Sequence, residues 1–166
     1  MTETESLIPP EALEQIDRLV GEPQSATISR RESQRYAWAA GDLNPIYFDE
    51  AAAREAGYDG LVVPPTLLGW IMEDGRPLDQ LREDGLYKGR RQGIGLRVSR
   101  TMFGGQEYDF VEPIYVGDTI TAETRLKGLE EKVGSSGPFV LTTQETTYTN
   151  QHGRVVARGR VLSIAR

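Results

Sequence analysis

Thr66-Leu67-Leu68-Gly69-Trp70-Ile71-Met72 is the stretch on which the fold turns. It carries almost no polar side chain, and a helix that is apolar on every side is a buried one. Something must therefore wrap it. After a polar, Gly-rich connection over residues 73–91, with Leu78 and Leu81 as its only helical spacing, the chain alternates as strands do. The alternation predicts strands over residues 93–102, 106–110, 118–127, 139–149 and 155–165, parted by turn signals at Gly104-Gly105, Gly117-Asp118, 134–137 and 150–153. Thr142-Thr143-Gln144-Glu145-Thr146-Thr147 is rich in β-branched residues suited to a half-wet face. Upstream of the apolar helix, Leu13, Ile16, Leu19 and Val20 predict an amphipathic helix over 11–20, broken by Gly21-Glu22-Pro23. A short strand over 25–29, a helix over 30–40 ended by Gly41, a turn-rich loop over 41–47, and a helix over 50–56 capped by Asp49 follow. Helices first, one central apolar helix, then four or five consecutive antiparallel strands make an α+β domain in which a curved antiparallel sheet wraps the central helix.

Composition bounds the chemistry. A chain of 166 residues with 38% apolar and 27% charged side chains is the size of one domain and buries a core without staples. It contains no Cys, which excludes disulfides, thiolate nucleophiles and Cys-based zinc sites. Its single His, His152, excludes a His-rich metal cluster, and no metal or cofactor is expected. The net charge of −6 argues against a broad nucleic-acid surface. Met1-Thr2-Glu3-Thr4-Glu5 is acidic where a secretory signal would be basic, and no run approaches the ~18 apolar residues of a membrane span. The expectation is a cytoplasmic protein with a leader and short helix over 1–20 and one domain over 21–166.

The most informative motif is Gly41-Asp42-Leu43-Asn44-Pro45-Ile46-Tyr47. It resembles the hydratase loop of the MaoC-like enoyl-CoA hydratases, in which Asp and Asn-Pro are followed by an apolar residue and then His. The resemblance extends to Tyr36-Ala37-Trp38-Ala39-Ala40 upstream, to Gly60-Leu61-Val62-Val63-Pro64-Pro65-Thr66 before the central helix, and to Gly104-Gly105-Gln106-Glu107-Tyr108-Asp109-Phe110 and Pro113-Ile114-Tyr115-Val116-Gly117-Asp118. These segments are similar to the N-terminal MaoC-like dehydratase group, which includes subunits of mycobacterial (3R)-hydroxyacyl-ACP dehydratases. The likeness runs from about Gly21 to the C-terminus. It implies a single hot-dog domain, an acyl-CoA or acyl-carrier-protein thioester as substrate, and a homodimer or heterodimer with a second MaoC-like chain.

One position departs from the family pattern: Tyr47 stands where the family has its catalytic His. Moving water on or off the carbon β to a thioester needs a group that takes a proton near neutral pH. An imidazole of pKa about 6.5 does so and a phenol of pKa about 10 does not. The resemblance assigns the site to Asp42, Asn44 and Tyr47, with Tyr47 able to donate a hydrogen bond but not to serve as base. It also implies that backbone N–H groups at the start of the central helix polarise the thioester carbonyl. Pro64 and Pro65 supply no N–H, which leaves Thr66 and Leu67.

Each of these residues has a plainer reading. Asp42 and Asn44 stand beside Gly and Pro, where Asx side chains commonly bond their own backbone. Lys88, Arg90 and Arg91 offer phosphate contacts for CoA or phosphopantetheine, or are a solvated loop. His152 fits an exposed hairpin turn, Gly93-Ile94-Gly95 is not a dinucleotide fingerprint, and Trp70, Ile71 and Met72 fit a core better than a ligand wall. Glu107, Asp109 and Glu112 read as solvent-facing charges. Three functions follow. The first is the acyl-binding subunit of a dehydratase or hydratase whose partner supplies the missing His. The second is a self-sufficient hot-dog hydratase or thioesterase using Asp42, and the third an acyl-thioester-binding pseudoenzyme.

Overall fold

A computed structural model describes residues 5–72, 77–83, 85, 94–98 and 100–166. Helix α1 spans Pro10–Leu13, strand β1 Gln24–Thr27, helix α2 Arg30–Ala40, helix α3 Glu50–Glu55 and helix α4 Leu67–Ile71. Strands β2 (Thr101–Phe110), β3 (Thr119–Gly134), β4 (Gly137–Thr149) and β5 (Val155–Ala165) follow. They form one antiparallel sheet in the order β1-β3-β4-β5-β2.

The sheet curls because its ladders are broken where an extra residue enters. Register shifts lie between Leu126 and Gly128 in β3 and between Phe103 and Gly105 in β2. Such bulges bend a strand and increase its twist. The second one corrects the sequence reading. Gly104-Gly105 is not a turn between two strands but a bulge inside the single strand β2, and the strand predicted over 93–102 begins only at Thr101, residues 94–98 and 100 being described and lying in no strand.

The helix predicted over 11–20 is also shorter than its periodicity suggests. It ends at Leu13, and residues 17–20 instead pair with β3: Asp17 N–H donates to the Leu126 carbonyl (2.7 Å) and Val20 N–H to that of Thr124 (2.8 Å). Asp17 makes the corner with φ of 65°, a conformation that Asp tolerates better than most residues. Lys127 pairs with its carboxylate and Arg125 donates to its carbonyl. The edge pairing begun by β1 is thereby continued along the middle of β3.

Helix α2 matches its predicted bounds because both ends are written locally. Ser29 and Glu32 form a reciprocal capping box, and Gly41 closes the helix in the left-handed conformation at φ 71°. Asp49 accepts from Ala51 N–H at 2.7 Å and starts α3.

The concave face of the sheet packs on α4. Leu67 and Leu68 are fully buried with Ile28, Ile120 and Val156, and Val63, Ile114 and Tyr148 complete the cluster. A helix as short as α4 has no stability of its own, so this contact is what forms it. It is not buried all round, as its composition led us to expect. Trp70 stands 58% exposed and tilts against Tyr36 of α2 at 6.3 Å between ring centroids.

Tyr108 of β2 wedges between helix and sheet. It leans on Tyr148 and closes over two glycines: a Cβ on Gly69 would lie 2.9 Å from its hydroxyl, and one on Gly159 would lie 2.9 Å from its ring. Gly159→Ala is therefore expected to destabilise the fold by about 1–3 kcal/mol through overpacking. Urea denaturation checks this as a fall in midpoint at unchanged slope.

Candidate functional site

The loop over 42–47 is held by its own polar side chains. Asp42 Oδ1 accepts from Asn44 N–H and Asn44 Oδ1 from Ile46 N–H, each at 3.3 Å. The second bond caps a 3-10 turn over Pro45–Tyr47, with Pro45 in the first position, where no N–H is needed. Asp42 N–H donates back to the Ala37 carbonyl at 3.0 Å, so the loop is seated directly on the end of α2. Asp42 and Asn44 thus do the backbone work of the plainer reading, and both side chains remain exposed.

Tyr47 faces the other way. It is 6% exposed and packs with Ala37 and Val62 in a second small cluster flanked by Phe48, Tyr58 and Tyr115. Its phenol is pushed up to about 12, first by burial, then by the negative charge of Asp42 and a hydrogen bond to that carboxylate, and last by Tyr58. Each of these causes favours the neutral phenol. Below pH 10 the Tyr47 phenol stays neutral, and it has no capacity to take a proton from water near neutrality.

The rest of the site hangs from a strip of irregular chain. Val62 N–H donates to the Ile46 carbonyl (3.2 Å), tying the loop to the segment that leads into α4. That segment is held in turn by residues 113–118: Val63 N–H to the Ile114 carbonyl (2.8 Å), Val116 N–H to that of Leu61 (3.0 Å) and Gly117 N–H to that of Ile28 (2.8 Å). Asp118 is the residue that sequence reasoning missed. Its carboxylate accepts from Tyr115 N–H and from the Gln151 amide, both at 2.8 Å, while Gln151 accepts from Thr119 N–H at 2.9 Å. A Gly-Asp turn before a strand is the only signal for it in the sequence.

Thr66 lies at the start of α4, exposed, with its hydroxyl accepting from Tyr36 at 3.0 Å. Helix α2 therefore carries the loop at its C-terminal end and reaches Thr66 with the Tyr36 side chain. Leu67 N–H donates to the Pro64 carbonyl at 3.0 Å, so an incoming carbonyl would have to share that donor. Lys88, Arg90 and Arg91 lie outside the described residues. His152 sits exposed in the β4–β5 turn, where its Nε2 lies 3.2 Å from the Gln151 amide. Among the described residues no group of three or more His, Cys, Asp or Glu is placed to hold a metal ion, and no helix is long and apolar enough to cross a membrane.

A curled sheet around a short helix, with an Asp and Asn-Pro loop beside the start of that helix, is the architecture of hot-dog dehydratases. Residues 17–159 match the family model described as FAS1-like, dehydratase domain region, and the chain belongs to that family. It is 30% identical to a UPF0336 protein of Leifsonia xyli over 78% of both chains, and 29% identical to one of Parafrankia sp. over 84% of this chain and 83% of the relative. The match to a UPF0336 protein of Streptomyces coelicolor, at 29% identity, spans 65% of this chain and 66% of the relative, just under two thirds of its length.

Solved structures agree in fold. The ChsH1-ChsH2 complex from Mycobacterium tuberculosis superposes with a TM-score of 0.74 at 21% identity, covering 93% of this chain and 88% of that one. The HadBC (3R-hydroxyacyl-ACP dehydratase) complex from the same organism gives 0.64 at 21% identity over 90% and 96%. An (R)-hydratase from A. caviae gives 0.62 at 22% identity over 89% and 94%.

Tyr47 provides a direct check on the loop. It is expected to ionise near 12, after exposed tyrosines, in an ultraviolet or NMR titration of the folded chain. Asp42→Asn should lower that value part of the way toward 10 and no further, because burial is the larger cause. The raised value stabilises the fold fully below pH 10, and this contribution disappears as pH climbs past 12.

Proposed function

We propose that this chain is the acyl-binding subunit of a (3R)-hydroxyacyl-thioester dehydratase or enoyl-thioester hydratase, working beside a hot-dog partner that carries the catalytic His. The observation that carries this reading is Tyr47: the loop is fully braced by its own side chains, yet the residue in the position the resemblance gives to the base is a buried phenol held neutral to about 12. A hydratase built on this loop alone would lack a proton acceptor suited to neutral pH. Asp42 accepts from Asn44 N–H, and its negative charge helps keep the Tyr47 phenol neutral.

Two of the structural relatives support the reading by analogy, since they are complexes of two different chains, one of them a (3R)-hydroxyacyl-ACP dehydratase. In this reading the chain contributes the wall of an acyl site beside α4, and Thr66 N–H with Leu67 N–H faces the thioester carbonyl. Lys88, Arg90 and Arg91 meet the phosphates of CoA or of a carrier's phosphopantetheine. No cofactor enters the reaction.

The test is to follow the enoyl-thioester absorbance of a short and a long enoyl-CoA with the chain alone, then with a co-encoded hot-dog chain whose loop retains Asp and His. We expect no hydration alone and hydration in the mixture, unchanged when this chain carries Tyr47→Phe. Hydration by the lone chain that Asp42→Asn abolishes would instead make it self-sufficient. Release of free thiol would make it a thioesterase, and thioester binding without turnover in any mixture a pseudoenzyme. Tyr47→His in the lone chain asks whether the base alone is missing, and a gain of hydration would show that it is.

A further inference from the structure

Strand β2 ends the sheet, and among the described residues only β5 pairs with it. Its exposed apolar side chains include Phe103 at 70%, Phe110 at 44% and Met102 at 39%, with Val111 at 52% just beyond. An edge of this length with that much apolar surface is a template for another strand unless something blunts it. The Gly104 bulge blunts its first third; residues 105–110 are regular.

The two faces of that regular stretch differ. Gln106, Tyr108 and Phe110 share the face toward α4: the Gln106 amide donates to the Tyr108 hydroxyl at 2.7 Å, the Tyr108 and Phe110 rings stack at 5.7 Å, and Tyr108 covers Gly69. Glu107 and Asp109 therefore lie on the outer face. Arg160 on β5 reaches Glu107 at 3.7 Å but divides itself with Glu145 at 3.8 Å, and Asp109 stands opposite Arg158 in the ladder. The arginines thus sit one strand inward, and the outermost charges on the rim are two carboxylates.

We infer that this edge is built to take a hot-dog chain different from itself, one whose own edge strand presents basic side chains on the outer face. This rests on the reading that the chain works beside a hot-dog partner and adds what selects it. Two copies pairing edge to edge about a two-fold axis normal to the sheet must centre on a residue, because opposed side chains share a face. Centred on Glu107, the axis sets Glu107 against itself; on Tyr108, Glu107 against Asp109 twice; on Asp109, Asp109 against itself. Centring on Gln106 or Gly105 brings the Gly104 bulge into the ladder. Like charges directly opposite destabilise a strand pair and opposite charges stabilise it. Centring on Phe110 carries the pairing past the end of β2 onto Pro113, which has no N–H to give. Self-pairing is therefore disfavoured in every register confined to the regular stretch, while lysine or arginine on a partner's edge converts the same contacts to attraction.

Sedimentation equilibrium on the purified full chain tests this without reference to catalysis. Wild type mixed with Glu107→Lys/Asp109→Lys is expected to dimerise with a Kd at least ~10-fold lower than wild type alone. Added salt should weaken the mixed pair and strengthen wild-type self-association. The neutral variant Glu107→Gln/Asp109→Asn should self-associate more tightly than wild type, and it carries the test if circular dichroism shows the lysine variant unfolded. Wild type dimerising as tightly as the mixture or the neutral variant would overturn the inference. So would the absence of any mixed dimer from folded chains. A failure of hydratase activity with every partner would bear on the function and leave these masses unaffected.

Discussion

Three stretches of chain that no regular ladder joins meet at residues 113–118, and the hydrogen bonds made there are the constraint on which the site depends. Buried backbone groups must find partners, and the approach to α4 has no strand or helix of its own to supply them. It borrows them from Ile114 and Val116, while Asp118 fixes those two residues by holding Tyr115 N–H and the Gln151 amide. With that strip in place Val63 and Ile114 enter the core beside Leu67 and Leu68. Val62 is then positioned to receive the loop through Ile46.

This arrangement separates two jobs that a motif reading merges. The loop is stabilised from within by Asp42 and Asn44 and from outside by Ala37 and Val62, none of which requires a catalytic group at position 47. A phenol at position 47 costs the loop little, since its ring fills apolar space and its hydroxyl lies beside Asp42. The loop's shape and the loop's chemistry are independently variable.

The sequence was legible wherever the determinants are local. Ser29, Glu32 and Gly41 state both ends of α2, and β5 shows its bounds through plain alternation between turns. It misled where a distant partner decides. The spacing of Leu13, Ile16 and Leu19 is helical, but β3 offers residues 17–20 unpaired carbonyls and an N–H, and pairing there prevails over helical propensity. Gly104-Gly105 reads as a turn in isolation, and only the neighbouring β5 makes it a bulge. At the site, the Asp and Asn-Pro pattern gave the loop and the Tyr47 departure. The burial that keeps the Tyr47 phenol neutral comes from Val62, Tyr58 and Tyr115, which are scattered along the chain.

The bonds that Asp42 and Asn44 make to their own backbone have a consequence for what the motif reports. Because each carboxylate or amide oxygen braces the turn it belongs to, the need for a folded loop is by itself a sufficient reason for both residues to stand where they do. The Asp and Asn-Pro signature is therefore first of all a mark of architecture: it reports that this turn forms, whatever side chain stands at position 47.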